Sequence, residues 1–511
     1  MPSLNSQAPQ TDRSPRRASR SVLLGAAAAI AIGGVAGYAT LVPNFGGSTA
    51  AYAQTSPSIS APSFADVVER VRGAVVSVKV KIVDDSQTAR NVPNIPQLQP
   101  GDPLERFFRQ FGEPDQRRSG PRTGMAQGSG FIISADGYVV TNNHVVDHST
   151  EVSLTLDDGR TVAATIIGTD AKTDLALLKI KDGGNYPHVD FAGQSPRVGD
   201  WVIAVGNPFG LGGTVTAGIV SARGRDIGSG PYDDYLQIDA PVNRGNSGGP
   251  TFNAQGQVVG VNTAIYSPSG GSVGIGFAIP AEVAKDVIAS LHDKGSVARG
   301  WIGVQIQPVS REIADSLSLK AAKGALVSEA QKDAPAAAAG IRSGDVITAV
   351  NGDRIDGPRE LARKIASFGP NKKVDVTIVR DGGEKSVSVE LGVLPNDQRA
   401  DAAPTRDRNG GRDQGQNLSR YGMTLAPASQ VAGSGREGVV VAEVDPNGPA
   451  AQKGLRTGDV ILEAAGRAVS RPADVSSALD QARKDGRKAV LLRVKSAEAT
   501  RFVALATNPA S

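Results

Sequence analysis

Cysteine is missing from all 511 residues. Disulfides, thiolate nucleophiles and cysteine-based metal centres are therefore excluded together. Histidine is scarce, at four residues, and no segment resembles His-Glu-x-x-His or a phosphate-cradling P-loop, so no metal or cofactor is expected. A dominant charge is also lacking. The formal net charge is +4, but Arg13, Arg16, Arg17 and Arg20 against Asp12 place +3 of it in the first 53 residues. The remainder, about +1, offers no case for nucleic acid as a partner. The apolar share, 40%, is a little low for a globular chain, in keeping with polar linkers and a mobile loop. The length is enough for several domains, each with its own core.

The first 53 residues read as a leader. A basic stretch precedes an apolar run from Val22 to Val42, and Ala51-Tyr52-Ala53 before Gln54 has the small-x-small form of a cleavage site. Export with cleavage near Ala53 is expected. The run is also long enough to span a bilayer, so an uncleaved leader would tie the chain to a membrane.

One stretch organises the rest of the chain: Asn243-Arg244-Gly245-Asn246-Ser247-Gly248-Gly249-Pro250. A serine between residues without Cβ can direct its backbone N–H at a substrate carbonyl while its hydroxyl attacks it. An ordinary Ser/Gly turn would look the same in isolation, so partners elsewhere must decide. His144 follows the alternating run Tyr138 to Thr141, and Asp174 stands just ahead of the apolar run Leu175 to Ile180. A hydroxyl near its normal pKa needs a general base, and an imidazole needs a carboxylate to fix its tautomer. The order His, Asp, Ser is that of chymotrypsin-like double barrels. Asp170 is a second candidate for the carboxylate. His148, His188 and His292 sit in no chemical motif and read as structural.

Around these residues the pattern is β-rich. Phe64 to Val71 has helical spacing, and Ala74 to Val83 alternates like a strand. Strands are expected at 130–134, 138–141, 152–156, 161–168, 175–180, 201–205, 218–222, 235–239, 258–264 and 276–279, broken by Asp-Gly and Gly-Asn turns. Ala281 to Lys294, stopped by Gly295, reads as a closing helix. The segment 84–125 is polar, rich in Pro and Gln, and far longer than an ordinary connection, which marks a mobile functional loop. Within it Leu104, Phe107, Phe108 and Phe111 fall on one helical face that packs either on its own domain or on a neighbouring subunit.

Six ordered motifs carry a resemblance. Gly128-Ser129-Gly130-Phe131-Ile132-Ile133, Thr141-Asn142-Asn143-His144-Val145-Val146, Thr173-Asp174-Leu175-Ala176-Leu177, Gly206-Asn207-Pro208-Phe209-Gly210, Gly245 to Pro250 and Gly274-Ile275-Gly276-Phe277-Ala278-Ile279-Pro280 together resemble the HtrA/Do (DegP-like) serine endoproteases. The resemblance implies a mainly β fold, with a chymotrypsin-like double barrel at 63–295 followed by two PDZ domains. It implies His144 as general base, Asp174 as its orienting partner, Ser247 as nucleophile, and an oxyanion hole from Gly245 and Ser247 with Asn246 between them. A rotated peptide at Arg244 to Asn246 would switch that hole off. Asp239 could line a pocket for basic side chains; the family instead has an apolar pocket with the residue matching Val242 in its wall, which favours cleavage after small aliphatic residues.

Past Gly295 the chain repeats. Pro335 to Ile347 aligns without a gap with Pro449 to Ile461, so one module occurs twice, at 298–393 and 418–508. Both copies resemble PDZ domains, which add a chain end to a sheet edge and receive its carboxylate on successive N–H groups. The matching loops centre on Ile302-Gly303-Val304 and Tyr421-Gly422-Met423. The second copy replaces Asn351-Gly352 with Ala465-Gly466, which puts its ligand pocket in doubt. The polar stretch 394–417 reads as a flexible linker that leaves the second module free to move.

The expected protein is an exported periplasmic endoprotease, independent of ATP, acting on unfolded or misfolded proteins and their C-terminal segments. Chaperone-like holding, activation through the PDZ domains, and assembly as trimers or multiples of trimers accompany this expectation as implications of the resemblance. A non-proteolytic holdase or a PDZ scaffold on the same fold is the alternative.

Overall fold

The computed structural model describes residues 63–84 and 122–508, apart from 209–211, 244, 269–270, 396–415, 432–434, 436 and 498. The expected leader, the Leu104 to Phe111 face and the interior of the expected linker lie outside the described residues.

Helix α1 (Ala65–Val71) sets Val67 and Val71 into the core and leads into the first barrel. Its strands are β1 (Val75–Asp84), β2 (Arg122–Ile132), β3 (Tyr138–Thr141), β4 (Ser149–Thr155), β5 (Thr161–Asp170) and β6 (Leu175–Ile180), with the four-residue helix α2 (Asn143–Val146) after β3. They close in the order β1-β2-β3-β6-β5-β4. The continuous apolar run of β6 has a physical reason. Ala176, Leu178 and Ile180 fill the barrel interior, while Leu175 and Leu177 face a second core shared with the next barrel, so both sides of the strand are apolar until Lys179 reaches the surface.

The long polar segment is shorter than its composition suggests. Its last residues belong to β2, which pairs with β1 from Val75 opposite Phe131 down to Asp84 opposite Arg122. A ladder of main-chain bonds needs no apolar side chains, so the polar sequence at 122–125 gave no strand signal.

The second barrel comprises β7 (Trp201–Gly206), β8 (Thr214–Arg225), β9 (Tyr235–Ile238), β10 (Pro250–Phe252), β11 (Val258–Ile265) and β12 (Gly276–Pro280), closed as β10-β11-β12-β9-β8-β7. Helix α3 (Ala281–Lys294) seals it with Ala284, Val287, Ile288 and Leu291, and ends where Gly295 turns to φ 69° and donates to the Leu291 carbonyl.

Two α+β modules follow. The first holds β13 (Gly300–Trp301), β14 (Val304–Pro308), α4 (Arg311–Ser316), β15 (Ala325–Ala330), α5 (Pro335–Ala338), β16 (Val346–Val350), β17 (Asp353–Arg354), α6 (Pro358–Ser367), β18 (Lys373–Arg380), β19 (Gly383–Glu390) and β20 (Gly392–Val393). Its main sheet runs β14-β15-β16-β18-β19. The second holds β21 (Gln416–Leu418), β22 (Met423–Pro427), β23 (Val439–Val444), α7 (Pro449–Gln452), β24 (Val460–Ala464), β25 (Arg467–Ala468), α8 (Pro472–Lys484), β26 (Ala489–Lys495) and β27 (Thr500–Ala506), in the order β21-β22-β23-β24-β26-β27.

The second module is not detached from the first. Val309, Ile313, Ala314, Leu326 and Val346 share one buried cluster with Ala489, Leu491, Phe502 and Ala504. Gln307 clamps the Phe502 main chain, donating from Nε2 to its carbonyl at 3.0 Å and accepting from its N–H at 2.7 Å. Beside the expectation of independent movement stands this contact between the two modules. A polar linker reports its own solvation, and says nothing of apolar faces that lie on β26, β27 and α4.

Candidate active site

Topology brings the histidine and the carboxylate together. Strands β3 and β6 run antiparallel with Thr141 opposite Ala176, so the residues just past the end of β3 and just before β6 are neighbours. Asn142 leaves β3 extended, and α2 turns His144 back over the barrel end. Asp174 holds φ 56°, a left-handed conformation that aspartate tolerates better than most residues. Its backbone carbonyl is fixed by the Asn142 side-chain amide at 2.9 Å and by the Asn143 N–H at 3.2 Å.

The Asp174 carboxylate meets His144 twice. Oδ2 lies 2.7 Å from His144 Nδ1, and Oδ1 accepts the His144 backbone N–H at 2.9 Å. Thr263, on β11 of the second barrel, donates its hydroxyl to the same Oδ2 at 2.5 Å. Its backbone carbonyl accepts the Ser247 hydroxyl at 3.4 Å. Thr263 therefore touches both the carboxylate and the serine, and joins side chains contributed by the two barrels. Sequence reasoning missed this residue. Its only signal was the polar pair Asn262-Thr263 inside the otherwise apolar run of β11.

Asp170, the rival carboxylate, faces elsewhere. It is buried and takes a two-pronged ion pair from Arg299, at 2.8 and 2.5 Å, together with the Thr173 hydroxyl. Arg299 also lies over the Tyr232 ring, 4.9 Å from its centre. Breaking a buried pair of this kind costs about 3–5 kcal/mol, which gives Asp170 a structural purpose at the base of the turn that carries Asp174. The other histidines are likewise occupied: His148 beside Asp147 at 3.4 Å, His188 against the Tyr186 carbonyl at 3.1 Å, and His292 beside Asp293 at 3.0 Å.

Ser247 stands in a compact turn with no exposed surface. Asn246 N–H donates to the Asn243 carbonyl at 3.1 Å, Gly249 N–H to Asn246, and Gly248 N–H to Asn262 on β11. Gly245 is at φ 92°, and a Cβ there would lie 2.5 Å from Pro208. A Cβ on Gly248 would lie 2.2 Å from the Ser129 carbonyl. Both glycines are required by space as well as by conformation. Val242 is fully buried, and with Ile238 it approaches Gly276 closely enough that a Cβ on that glycine would lie 3.3 Å from each. The exposed Asp239 is engaged by the Ile219 N–H at 2.6 Å.

The segment between β8 and β9 is tied to the first module. Arg363 on α6 donates to the Asp233 carbonyl at 2.9 Å and pairs with Asp234 at 3.0 Å, and Arg359 pairs with Asp226. Burial pushes the Asp233 carboxyl above its ordinary range, against the lowering effect of Ser229 and two backbone N–H groups. Burial, then the Asp233 charge, pushes the Tyr235 hydroxyl up.

In the first module Gly303 holds φ 72°, and the outer edge of β14 has no partner strand among the described residues. In the second, Gly422 holds φ 65°, but the corresponding edge of β22 is covered by β21, with Gln416 opposite Leu425 and Leu418 opposite Met423.

Known proteins with this arrangement identify the family. Residues 128–261 match the trypsin-like peptidase domain, and residues 300–391 and 440–494 match PDZ domains. A DegP-like periplasmic serine endoprotease of Brucella suis is 52% identical over 468 residues, covering 87% of this chain and 90% of that one. Its counterpart in Rhizobium meliloti is 48% identical over 471 residues, with 87% and 92% covered. Among solved structures, the HtrA-type protease AlgW with tripeptide is 36% identical with a TM-score of 0.54, covering 66% of this chain and 98% of that one. AlgW with decapeptide is also 36% identical, with a TM-score of 0.53 and coverage of 66% and 100%. The chain belongs to the DegP-like periplasmic serine endoproteases of the HtrA type, and is a serine endopeptidase with a trypsin-like peptidase domain and two PDZ domains.

Proposed function

We propose that His144, Asp174 and Ser247 form the catalytic triad of an exported endoprotease that degrades unfolded or misfolded proteins. The observation that carries this reading is the meeting of Asp174 with His144 at 2.7 Å, beside the one residue, Thr263, that also receives the Ser247 hydroxyl. The Ser247 oxygen attacks the scissile carbonyl while its proton passes to His144. Asp174 stabilises the imidazolium that results. The oxyanion is received by the N–H groups of Gly245 and Ser247, with Asn246 between them. Collapse breaks the C–N bond, the leaving amine takes the proton from His144, and water then releases the acyl group by the same steps.

The buried apolar Val242 favours small aliphatic residues before the cut. The open edge of β14 with Ile302, Gly303 and Val304 suits an incoming C-terminal segment. The pairs from Arg359 and Arg363 to the 226–234 segment offer a physical link between that module and the barrel. A ligand acts through such a link only by its differential affinity for two states. Chaperone-like holding, assembly in trimers and cleavage of the leader near Ala53 complete the reading.

Casein turnover by the mature chain is the test, with Ser247→Ala alongside and with a peptide ending in an apolar residue. Cleavage lost in the variant and raised by the peptide supports both the nucleophile and the regulation. Equal turnover by the two proteins would make this a binding protein on a protease fold.

A further inference from the structure

The Gly128-Ser129-Gly130 segment of β2 has no part in the chemistry above, yet it lies against both Val145, next to the histidine, and the turn that carries the nucleophile. A Cβ on Gly128 would lie 2.8 Å from Val145 and 3.1 Å from the Ser247 carbonyl, and one on Gly130 would lie 2.9 Å from the Val140 carbonyl. Gly128 thus lets a first-barrel strand press its backbone against the second-barrel turn, and Gly130 lets the same strand lie close on β3. Between them Ser129 is fully buried, and every polar atom it owns is engaged. Its N–H donates to the Ser247 carbonyl at 2.8 Å, and its carbonyl accepts the Thr141 hydroxyl at 2.7 Å. Its hydroxyl donates to the Gly245 carbonyl at 2.5 Å and accepts the Asn207 N–H at 2.8 Å.

We propose that Ser129 is a positioning residue that sets the orientation of the Gly245 N–H in the oxyanion hole. The inference rests on the assignment of Ser247 and Gly245 made above. The peptide between Gly245 and Asn246 is gripped at both ends: its carbonyl by Ser129 and its N–H by the Asn243 carbonyl at 3.1 Å. With that plane held, the donor N–H can move only by rotation about the two Gly245 backbone bonds, Cα–C and N–Cα, and Pro208 crowds the glycine from one side. A glycine at φ 92° has no side chain to hold such an orientation for itself. Serine suits the task because one hydroxyl can donate and accept at once. Removing it leaves a buried carbonyl and a buried N–H without partners, and the turn regains the rotation that points its donor away from substrate.

The test compares wild type, Ser129→Ala and Ser247→Ala on a short fluorogenic peptide. It also measures affinity for a tripeptide boronic acid ending in boro-valine, whose tetrahedral adduct places an oxygen in the oxyanion hole, and for the matching product acid. Ser129→Ala should lower kcat about 10- to 100-fold with KM little changed, because an oxyanion donor acts mainly in the transition state. Boronate affinity should fall in the same proportion, and product-acid affinity should stay level. A kcat within twofold of wild type, or a fall in kcat without a matching fall in boronate affinity, would overturn the inference. If the alanine variant does not fold, Ser129→Cys supplies the same readout, since a thiol of similar size is a poor donor. Full turnover by Ser247→Ala would overturn the nucleophile assignment and the inference with it, a result separate from failure at Ser129 alone.

Discussion

The two PDZ modules share a loop, a turn and a buried strand in one sequence pattern, yet their corresponding edges differ. Strand β14 of the first leaves its outer side unpaired among the described residues, whereas β22 of the second is paired along that side by β21. Leu418, from β21, packs on the second module's core. The turns differ in the same direction. Asn351, at φ 51°, has a side chain that accepts the Asp375 N–H at 2.8 Å, while Ala465 adopts the same φ with no such bond. A repeated motif therefore specifies a repeated fold, and the residues just ahead of the motif decide whether that edge is open.

The largest expected effect lies in the first module. A Cβ on Gly303 would lie 2.2 Å from the Ala334 Cβ in a left-handed residue, so Gly303→Val should distort the loop. Affinity for a peptide with a free apolar C-terminus should fall about 100-fold, read by fluorescence anisotropy. Unchanged affinity would break the comparison by placing the ligand site elsewhere. A middling effect is expected from Leu418→Asp, which removes the apolar contact that holds β21. Amide exchange at Met423 to Leu425 should quicken about tenfold, equivalent to roughly 1.4 kcal/mol, and calorimetry should reveal a second peptide site. Slow exchange in the variant would show that β21 is held by its main chain alone. The smallest effect should come from Gln307→Ala, which removes two neutral hydrogen bonds between the modules. A loss of about 1 kcal/mol should lower the second module's melting temperature by roughly 5 °C in calorimetry of the full chain. No shift would mean that the apolar cluster alone joins them.

Much of the fold was legible because closed barrels force alternation or continuous apolar runs onto their strands. Helix α3 was readable to the residue from its periodicity and Gly295. Three features were not. Strand β10, Pro250 to Phe252, is too short to show a period, and β2 begins in polar residues. The partner of the Gly-Asp turn is also hidden: Asp345 is met by Arg380 on β18, but Asp459 by Arg501 on β27, so alignment of the repeats does not reveal it. At the candidate site, local motifs singled out His144, Asp174 and Ser247. Thr263 and Ser129 were not assigned roles, because their significance arises only where two barrels meet.

The catalytic assignment stands most directly on Ser247 as nucleophile. Treating the mature, casein-cleaving protein with a fluorophosphonate and mapping the modified peptide by mass spectrometry would test it. The expected result is one adduct per chain, on Ser247, appearing in step with loss of turnover. An adduct on another residue that tracked the loss, or full turnover with Ser247 modified, would contradict the assignment.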